Sequence, residues 1–391
     1  MPDEAALVAV AARGERLARA AIAAWEAGEA ILPLDPGAPG TTRDELLERL
    51  RPTHLLEDDG RHPLHGGTPV ASGVAAVMVT SGTTGTPKGV ELTHEGLVVM
   101  ARGVSAGLDA TRNDRWLACL PLHHVAALAI IGRAWVTGVP WTAHDAFDVD
   151  AVARSARHEG TTIVSLVPTT LRRLLDARAP MHEFRRVVLG GAPCPPALRA
   201  RAEAAGATIV DAYGMTETWG GFALDGVPIA GAEVRLADDS EILVRGAMVM
   251  RAYRFARGET TDAIDTDGWL HTGDIGSIGE NGVLAVIDRK KDLVISGGIN
   301  VSPTRVEAVL HEHPLLADVC VVGEPDDEWG ERVVAVCVPS SKTSAPTLED
   351  LREFARDRLP AAHLPREIRF VDAIPRSSGG KPLRRFLRAP R

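Results

Sequence analysis

The strongest constraint on the fold is a set of short apolar runs that alternate with helical segments between residues 74 and 225. Short apolar runs bounded by turn residues are typical of strands that are buried on both faces. When such strands alternate with helices, they favour a mostly parallel sheet with helices packed on it. The sequence therefore predicts an α/β body. Its strands are expected at residues 74–79, 115–120, 162–167, 186–189 and 208–210.

The segments on either side of this region have other patterns. Residues 4–28 have the apolar spacing of a helix, residues 31–36 indicate a strand and turn, and residues 42–50 indicate a short helix. The runs within 227–288 are shorter and glycine-rich, as in a small antiparallel, barrel-like sheet. After residue 291 the pattern predicts a separate α+β unit of about 100 residues. Its helices and strands are expected at residues 305–311, 317–322, 333–338 and 348–358.

Size and composition exclude several classes of protein. A chain of 391 residues exceeds what one hydrophobic core normally holds, so we expect two or three domains. A net charge of −9 argues against a nucleic-acid partner, and no apolar run is long enough to span a membrane. Residues 1–4 lack the basic start of a signal peptide. Because the four cysteines have no metal-like spacing, a cytoplasmic protein with buried free thiols is expected.

A loop rich in glycine and hydroxyl residues follows the first predicted strand. Glycines let backbone N–H groups approach an anion, hydroxyl groups add neutral donors, and Lys88 adds a positive charge. Only two residues separate Gly82 from Gly85, so this is not a Walker loop. The loop predicts a polyphosphate site, and a simple turn is the alternative. The residues concerned are Thr80, Ser81, Gly82, Thr83, Thr84, Gly85 and Lys88.

Two further motifs follow predicted strands, where ligands bind in open α/β sheets. The first is Gly190-Gly191-Ala192-Pro193, whose glycines would let a flat ring lie against the backbone. The second is Tyr213-Gly214-Met215-Thr216-Glu217, in which Tyr213 could stack on a base, Thr216 could donate to a phosphate and Glu217 could hold Mg²⁺. The alternatives are a plain turn for the first motif and a capped strand–helix junction for the second.

Three more segments carry candidate polar groups. Asp274 could accept both hydroxyls of a ribose, with help from Arg289, although a charged turn is the alternative. The loop that ends in Lys381 could neutralise phosphate charge in a transition state, and a solvated basic tail is the alternative. The adjacent pair His123-His124 could gate a pocket or pack in the core, and neighbouring histidines rarely share a metal.

In this order and spacing the segments resemble the adenylate-forming superfamily of acyl-CoA synthetases, peptide-synthetase adenylation domains and luciferases. The resemblance runs from about residue 74 to residue 385. It implies a large N-terminal body at residues 1–288 that binds ATP and the acid, with mixed or parallel sheets and a small barrel-like subdomain. It also implies a hinge at 289–291 and a small mobile α+β lid at 292–391. Members usually have a longer N-terminal region, so we expect a reduced first subdomain.

The resemblance assigns roles to individual residues. The loop from Thr80 to Lys88 would hold the ATP β- and γ-phosphates, Thr216 would contact the α-phosphate, and Glu217 would bind Mg²⁺. Lys381 would bridge the acid carboxylate and the α-phosphate, and Lys291 would be the hinge. The other assignments are Gly191, Ala192, Asp211 and Tyr213 around adenine, Pro193 and Gly214 elsewhere at the nucleotide, Asp274 and Arg289 at the ribose, His124, Trp219 and Gly220 at the acyl pocket, with His124 as its gate, and Gly297 and Gly298 in the CoA tunnel.

These roles imply an AMP-forming acid–CoA ligase that uses ATP, Mg²⁺ and coenzyme A. The segments 121–125 and 213–221 look most like those of o-succinylbenzoate–CoA ligases of menaquinone synthesis, especially actinobacterial ones. Trp219 and Ala127 depart from that pattern, where a small residue and a glycine are more usual, so another aryl or short acyl acid is the alternative. A separate carrier protein could replace CoA, and a homodimer is possible. A nucleotide-binding regulatory homologue is the non-enzymatic alternative.

Overall fold

The computed structural model describes residues 4–81, 87–255, 260–261, 264–341, 344–376 and 382–388. For residues 81, 260 and 261 only the backbone is described. The chain divides into two compact units. The first contains Met1–Gly191, Arg201–Arg235 and Leu243–His271, and the second contains Ala192–Ala200, Leu236–Ile242 and Thr272–Arg391.

The α-helices of the described residues are α1 (Gly14–Glu26), α2 (Gly40–Leu50), α3 (His94–Gly107), α4 (Val125–Thr137), α5 (Val149–His158), α6 (Pro168–Asp176), α7 (Pro196–Ala204), α8 (Pro303–Leu310) and α9 (Leu348–Ala355). Short 3-10 turns occur at Met181–Glu183, Thr216–Thr218, Lys290–Asp292, Ala361–His363 and Arg384–Phe386. In this part of the chain no helix has the length and apolar character needed to cross a bilayer.

The strands up to residue 215 are β1 (Glu4–Ala5), β2 (Leu7–Val10), β3 (Ala30–Pro33), β4 (His54–Glu57), β5 (Gly60–Pro63), β6 (Val70–Ala71), β7 (Val74–Ser81), β8 (Pro87–Thr93), β9 (Trp116–Ala118), β10 (Trp141–Ala143), β11 (Ile163–Leu166), β12 (Arg186–Gly190) and β13 (Ile209–Met215). The later strands are β14 (Gly220–Leu224), β15 (Val227–Pro228), β16 (Glu233–Leu236), β17 (Glu241–Arg245), β18 (Ala252–Arg254), β19 (Thr260–Thr261), β20 (Leu270–Ile278), β21 (Leu284–Arg289), β22 (Val294–Ser296), β23 (Ile299–Val301), β24 (Leu316–Asp326), β25 (Gly330–Pro339) and β26 (Glu367–Phe370).

Two large sheets form the first unit. One has the strand order β10-β9-β11-β12-β13-β14-β15, and its first five strands are parallel. The other has the order β19-β18-β8-β7-β3-β2-β4-β5, with β7 and β8 forming an antiparallel hairpin. The apolar runs that predicted strands in this unit all contain strands, and most of the residues in these runs are buried. The α/β prediction is confirmed.

The prediction of a helix over residues 4–28 is only partly right. Residues 14–26 form α1, but Leu7–Val10 is β2, a strand that pairs in parallel with both β3 and β4. All four residues of β2 are buried. A strand inside a parallel sheet is apolar on both faces, so its short unbroken run lacks the alternation that would distinguish it from helical spacing.

The second unit contains the predicted α+β arrangement of the C-terminal region. Its main sheet has the order β23-β22-β25-β24, with β26 pairing in parallel to β25. Helices α8 and α9 cover this sheet, and buried residues of both helices join one core cluster with β24 and β25. In the preceding region, β20 and β21 pair antiparallel as expected. The hinge at 289–291 and the boundaries at 288 and 292 remain predictions.

A buried ion pair connects distant parts of the first unit. The Asp114 carboxylate accepts hydrogen bonds from Arg185 Nε at 2.8 Å and Nη2 at 2.9 Å, and also from the Thr162 hydroxyl and the Thr111 N–H. These donors lower the pKa of Asp114 to about 2, although its burial opposes the shift. Because the pair joins the ends of three segments, it stabilises the β9 side of the parallel sheet.

Replacing Asp114 by asparagine is expected to lower the free energy of unfolding at pH 7 by about 2 kcal/mol. The folded pKa lies below the unfolded value of 3.8, so the stabilisation is present above pH 3.8 and is lost as the pH falls towards 2. Urea unfolding followed by tryptophan fluorescence measures this, since six of the seven tryptophans lie in the first unit. D44N, at an exposed aspartate of α2, is the control. An equal loss at pH 2 and pH 7 would contradict the prediction.

Candidate functional site

The predicted phosphate loop connects the two strands of the β7–β8 hairpin. The last paired positions are Thr80 with Lys88 and Ser81 with Pro87, so the hairpin brings both ends of the loop together. Gly82, Thr83, Thr84 and Gly85 lie outside the described residues. The Thr80 hydroxyl is buried and has no hydrogen-bond partner among the residues that are described. A buried polar atom of this kind is expected to meet a ligand or water.

Two charged site residues of the first unit contact one tyrosine. The Lys88 Nζ lies 3.2 Å from the centre of the Tyr253 ring, and the Tyr253 hydroxyl donates a 2.9 Å hydrogen bond to Glu217 Oε1. Burial lowers the pKa of Lys88, and the nearby Glu217 carboxylate opposes that shift. Burial, followed by the Glu217 charge, raises the pKa of Tyr253. The structure therefore brings the predicted Lys88 and Glu217 to the same tyrosine side chain.

The motif at the end of β13 holds Glu217 through its backbone. Glu217 lies in the 3-10 turn Thr216–Thr218, and its carbonyl accepts the Met250 N–H at 2.7 Å. The Thr218 hydroxyl donates to the Gly220 carbonyl at 2.7 Å. A Cβ atom on Gly214 would lie 1.8 Å from that carbonyl oxygen, so only glycine fits at this close approach. Thr216 is half-buried beside Glu217 in this turn.

The predicted adenine residues of the first unit lie at the carboxyl ends of neighbouring parallel strands. In the β12–β13 pairing Leu189 is opposite Asp211, and Gly191 follows β12 with a positive φ of 80°. Tyr213, two residues after Asp211, packs edge-on against Phe222 with ring centres 4.9 Å apart. Ala192 and Pro193 follow Gly191 in the chain but belong to the second unit.

In the second unit, the predicted ribose residues form an ion pair. Asp274 on β20 is opposite Arg289 on β21, and Arg289 Nε lies 3.0 Å from Asp274 Oδ1. The Asp274 side chain is buried, and the backbone N–H of Asp274 donates to the Thr272 hydroxyl at 3.1 Å. A carboxylate fixed in this way is suited to accepting two adjacent hydroxyl groups, because it has two oxygens in one plane.

The residues around the predicted hinge are partly fixed within the second unit. Lys290 Nζ contacts Glu241 Oε2 at 3.0 Å, while Glu241 Oε1 accepts the Gly273 N–H at 2.9 Å. Glu241 thus joins Gly273, the residue before Asp274 on β20, to the lysine that precedes Lys291. Lys291 itself is exposed in the 3-10 turn Lys290–Asp292. Its role as the hinge remains a prediction.

Lys381 lies outside the described residues, but the chain on either side of it is anchored. Arg376 and Pro382 form a β-bridge, and the Leu383 N–H donates to the Pro375 carbonyl at 2.8 Å. Arg376 pairs with Asp318 at 2.8 Å. On the other side, Arg384 donates to Glu307 Oε1 at 2.7 Å and to the Val321 carbonyl. The described residues that flank Lys381 in the chain are therefore fixed on both sides.

The predicted CoA-tunnel glycines, Gly297 and Gly298, are exposed between β22 and β23, both with positive φ values. The Gly297 N–H donates to the Trp329 carbonyl at 2.8 Å. A Cβ on Gly297 would lie 3.0 Å from the Trp329 ring, so this turn favours glycine for both its conformation and its space. Their role in CoA binding remains a prediction.

Helix α4 begins next to the predicted acyl-pocket histidine. His124 immediately precedes the helix, and its Nε2 is buried with no hydrogen-bond partner in the described part of the chain. Burial, and then the adjacent His123, lower the pKa of His124 to about 4, although Asp35 opposes the shift. His124 is therefore neutral at pH 7, which suits contact with an acyl group better than binding of an anion.

Trp219, the second predicted pocket residue, is fully buried. Its Nε1 donates to the Thr93 carbonyl at 2.9 Å, and its ring packs edge-on against Trp25. Its φ of 54° is unusual for a residue other than glycine, and Gly220 follows with φ 93°. The contacts made by Trp219 are core contacts, and its role at the acyl pocket remains a prediction.

Sequence reasoning missed Tyr253 and the buried Arg133 of α4. Arg133 lies 4.4 Å above the Trp116 ring, and no carboxylate among the described residues lies within ion-pair distance of it. Burial lowers the pKa of Arg133 to about 9. An arginine in an otherwise apolar helix was the available signal for Arg133. For Tyr253 the signal was that the chain has only two tyrosines.

Comparisons with known proteins agree with this geometry. The family model for AMP-binding enzymes matches residues 66–254, and the model for the C-terminal domain of the same enzymes matches residues 305–381. A 2-succinylbenzoate–CoA ligase of Bacillus pumilus is 36% identical over 337 residues, which cover 81% of this chain and 68% of that protein. A probable 2-succinylbenzoate–CoA ligase of Mycobacterium tuberculosis is 35% identical over 351 residues, covering 87% of each chain.

A solved structure extends the similarity to the whole chain. The o-succinylbenzoate CoA synthetase of Bacillus subtilis, in complex with its acyl-adenylate intermediate, superposes with a TM-score of 0.86 at 29% identity, covering 100% of this chain and 89% of that one. The same synthetase with ATP and a magnesium ion superposes with a TM-score of 0.84. The chain belongs to the AMP-binding enzyme family and is an AMP-forming acid–thiol ligase.

Proposed function

We propose that this ligase joins 2-succinylbenzoate to coenzyme A through an acyl-adenylate. The observation that carries the proposal is the identity of 35–36% to 2-succinylbenzoate–CoA ligases over 81–87% of the chain. The reaction has two steps. The acid displaces pyrophosphate from ATP to give acyl-AMP, and the thiol of CoA then displaces AMP to give acyl-CoA.

The two steps solve a chemical problem. A carboxylate does not react with a thiol, because the oxygen that must leave is a poor leaving group. After the acid attacks the α-phosphate, AMP becomes a good leaving group. In the first step Thr80 and Lys88 bind the phosphates, Asp274 holds the ribose, and Lys381 neutralises negative charge that develops between the carboxylate and the α-phosphate. Lys381 must then withdraw so that the thiol can enter.

ATP, Mg²⁺ and coenzyme A are the cofactors that this chemistry requires. Glu217 fits a magnesium site, because it supplies a carboxylate oxygen, the ligand type that Mg²⁺ prefers, on a turn that its backbone hydrogen bond fixes. When bound there, Mg²⁺ would offset the charge of the ATP phosphates. The residues of this chain do the rest of the positioning.

Arg133 supports a substrate with a second carboxylate. 2-Succinylbenzoate carries one carboxylate on its succinyl chain and another on its ring, so one remains after the other is activated. A buried arginine without a carboxylate partner is energetically unfavourable, and an anionic substituent would supply the missing countercharge. We infer that Arg133 binds the carboxylate that is not activated.

The experiment measures acid-dependent pyrophosphate release with CoA present, using 2-succinylbenzoate and 4-oxo-4-phenylbutanoate, which lacks only the ring carboxylate. The native chain should prefer 2-succinylbenzoate by about 100-fold in kcat/KM, the effect of a buried charged hydrogen bond. R133M should lose most of this preference, and R133K should keep part of it. A panel of other aryl and short acyl acids tests the alternative substrates. An acid in this panel with a higher kcat/KM than 2-succinylbenzoate would overturn the proposed acid.

Trp219 is proposed to limit the size of the acid. W219F removes part of the indole volume and keeps an aromatic contact with Trp25, so the variant should accept acids with bulkier ring substituents. It should also lower the thermal midpoint, since the hydrogen bond to the Thr93 carbonyl is lost. The test compares kcat/KM for a set of acids between the native chain and W219F. An unchanged acid preference together with a lower thermal midpoint would place Trp219 outside the pocket.

The thiol acceptor and the assembly are further parts of the proposal. Coenzyme A is favoured over a separate carrier protein by the CoA ligases that the chain resembles. A homodimer is proposed as the working assembly. Single-turnover thiolation with CoA and with a phosphopantetheinylated carrier distinguishes the acceptors, and sedimentation velocity measures the assembly.

A further inference from the structure

Tyr253 contacts both charged residues of the phosphate site at once. Its ring face lies 3.2 Å from Lys88 Nζ, and its hydroxyl donates to Glu217 Oε1 at 2.9 Å. Its own backbone belongs to neither motif, since Tyr253 lies on β18, 36 residues after Glu217. A tyrosine offers two separate interactions, because its π face attracts a cation while its hydroxyl donates to an anion.

The strand that carries Tyr253 is firmly held. Strand β18 pairs antiparallel with β8, so that Tyr253 is opposite Val90 and Arg254 is opposite Gly89, next to Lys88. The buried Arg254 forms an ion pair with the buried Glu91 and donates to the Leu50 carbonyl at 2.8 Å. A side chain on such a strand has little freedom to move, so it can fix the positions of groups that touch it.

Glu217 is therefore held at two points by one segment. Met250 binds its backbone carbonyl, and Tyr253 binds one of its two carboxylate oxygens. The bond to Oε1 selects one orientation of the carboxylate and leaves Oε2 to act as a ligand through a single oxygen. Mg²⁺ has strict octahedral geometry, so a carboxylate that is already oriented loses less entropy when the ion binds.

We propose that Tyr253 is a positioning residue of the phosphate site, whose hydroxyl orients Glu217 for Mg²⁺ and whose ring holds Lys88 for the phosphates. The inference rests on the proposed use of Mg²⁺ and ATP. Two substitutions of Tyr253 separate the contribution of its hydroxyl from that of its ring. Phenylalanine removes the hydroxyl and keeps the ring, whereas leucine removes both.

The test uses equilibrium binding. Mn²⁺ replaces Mg²⁺ as a paramagnetic probe, and its binding in the presence of α,β-methylene-ATP is followed by electron paramagnetic resonance. Calorimetry with EDTA measures binding of the analogue without metal. Y253F should weaken Mn²⁺ binding about 10-fold, as expected for a residue that orients a metal ligand, and leave metal-free binding of the analogue unchanged. Y253L should also weaken metal-free binding, by about 5-fold, because Lys88 loses its ring contact.

Two controls make the outcome specific. F255L alters the ring packed next to Tyr253, with centres 6.2 Å apart, and should bind Mn²⁺ and the analogue as the native chain does. In an E217Q background, Y253F should add no further loss, because both changes act on the same ligand. Should Y253L fail to fold, Y253F decides the point, since it removes one oxygen atom.

If Y253F binds Mn²⁺ as tightly as the native chain does, or if F255L loses as much Mn²⁺ affinity as Y253F, the role proposed for Tyr253 is wrong. Neither result would contradict the ligase function. Failure of the native chain to bind the analogue with or without Mn²⁺ would overturn the proposed function as well.

Discussion

Replacing Lys381 by alanine is expected to abolish formation of the acyl-adenylate and to spare the transfer of a supplied acyl-adenylate to CoA. In the first step negative charge gathers between the acid oxygen and the α-phosphate, and a lysine that reaches both lowers the barrier. Removing such a group typically lowers the rate by about 10³-fold. In the second step the thiolate attacks an intermediate that is already activated, so the absence of Lys381 should change this rate by less than about 5-fold.

The two half-reactions are measured separately on the same preparation. Pyrophosphate release from ATP and acid reports the first, and acyl-CoA formed from synthetic acyl-adenylate reports the second. K342A, which removes a different lysine from the C-terminal region, is the matched control and should leave both rates unchanged. An equal loss in both half-reactions of K381A would contradict a lid that serves only one of them.

Replacing Glu217 by glutamine should raise the Mg²⁺ concentration that half-maximal adenylation requires. Glutamine keeps an oxygen that can accept the Tyr253 hydrogen bond, so the change removes the charge and preserves the packing. The effect should be at least as large as the roughly 10- to 100-fold loss seen for residues that only orient a metal ligand. Magnesium titrations of pyrophosphate release at saturating acid measure it.

E217D is the informative companion, since it keeps the charge and shortens the side chain by one methylene. It should lie between the native chain and E217Q in its Mg²⁺ requirement. E48Q is the control, because it makes the same chemical change at an exposed position on α2. A normal magnesium dependence in E217Q would remove Glu217 from the metal site.

Most of the fold could be predicted from local pattern. The parallel strands of the first unit are short apolar runs with turn residues on either side, so the residues of each run are enough to predict a strand there. Strand β2 was predicted as helix, because four buried residues in a row have neither strand alternation nor a length that excludes a helix. Its partners β3 and β4 identify it as a strand, and these pairings are not visible in the run itself.

The candidate site shows the same division between local and long-range information. Motifs that are continuous in sequence, such as the turn that contains Glu217, could be found directly. Tyr253 could not, because it reaches the site through the pairing of β18 with β8, strands separated by about 160 residues in the chain. Arg133 was missed for a related reason, since the absence of a carboxylate partner for it among the described residues is a property of packing.

The central claim is that the acid becomes joined to AMP before it meets the thiol. Acid labelled with ¹⁸O in its carboxylate tests this most directly, because attack on the α-phosphate leaves one labelled oxygen on AMP when the thioester forms. With ¹⁸O-labelled 2-succinylbenzoate, ATP and CoA, we predict that mass spectrometry finds one ¹⁸O in each AMP and none in pyrophosphate. Unlabelled AMP, or label in pyrophosphate or inorganic phosphate, would contradict the acyl-adenylate and with it the role assigned to every residue of the site.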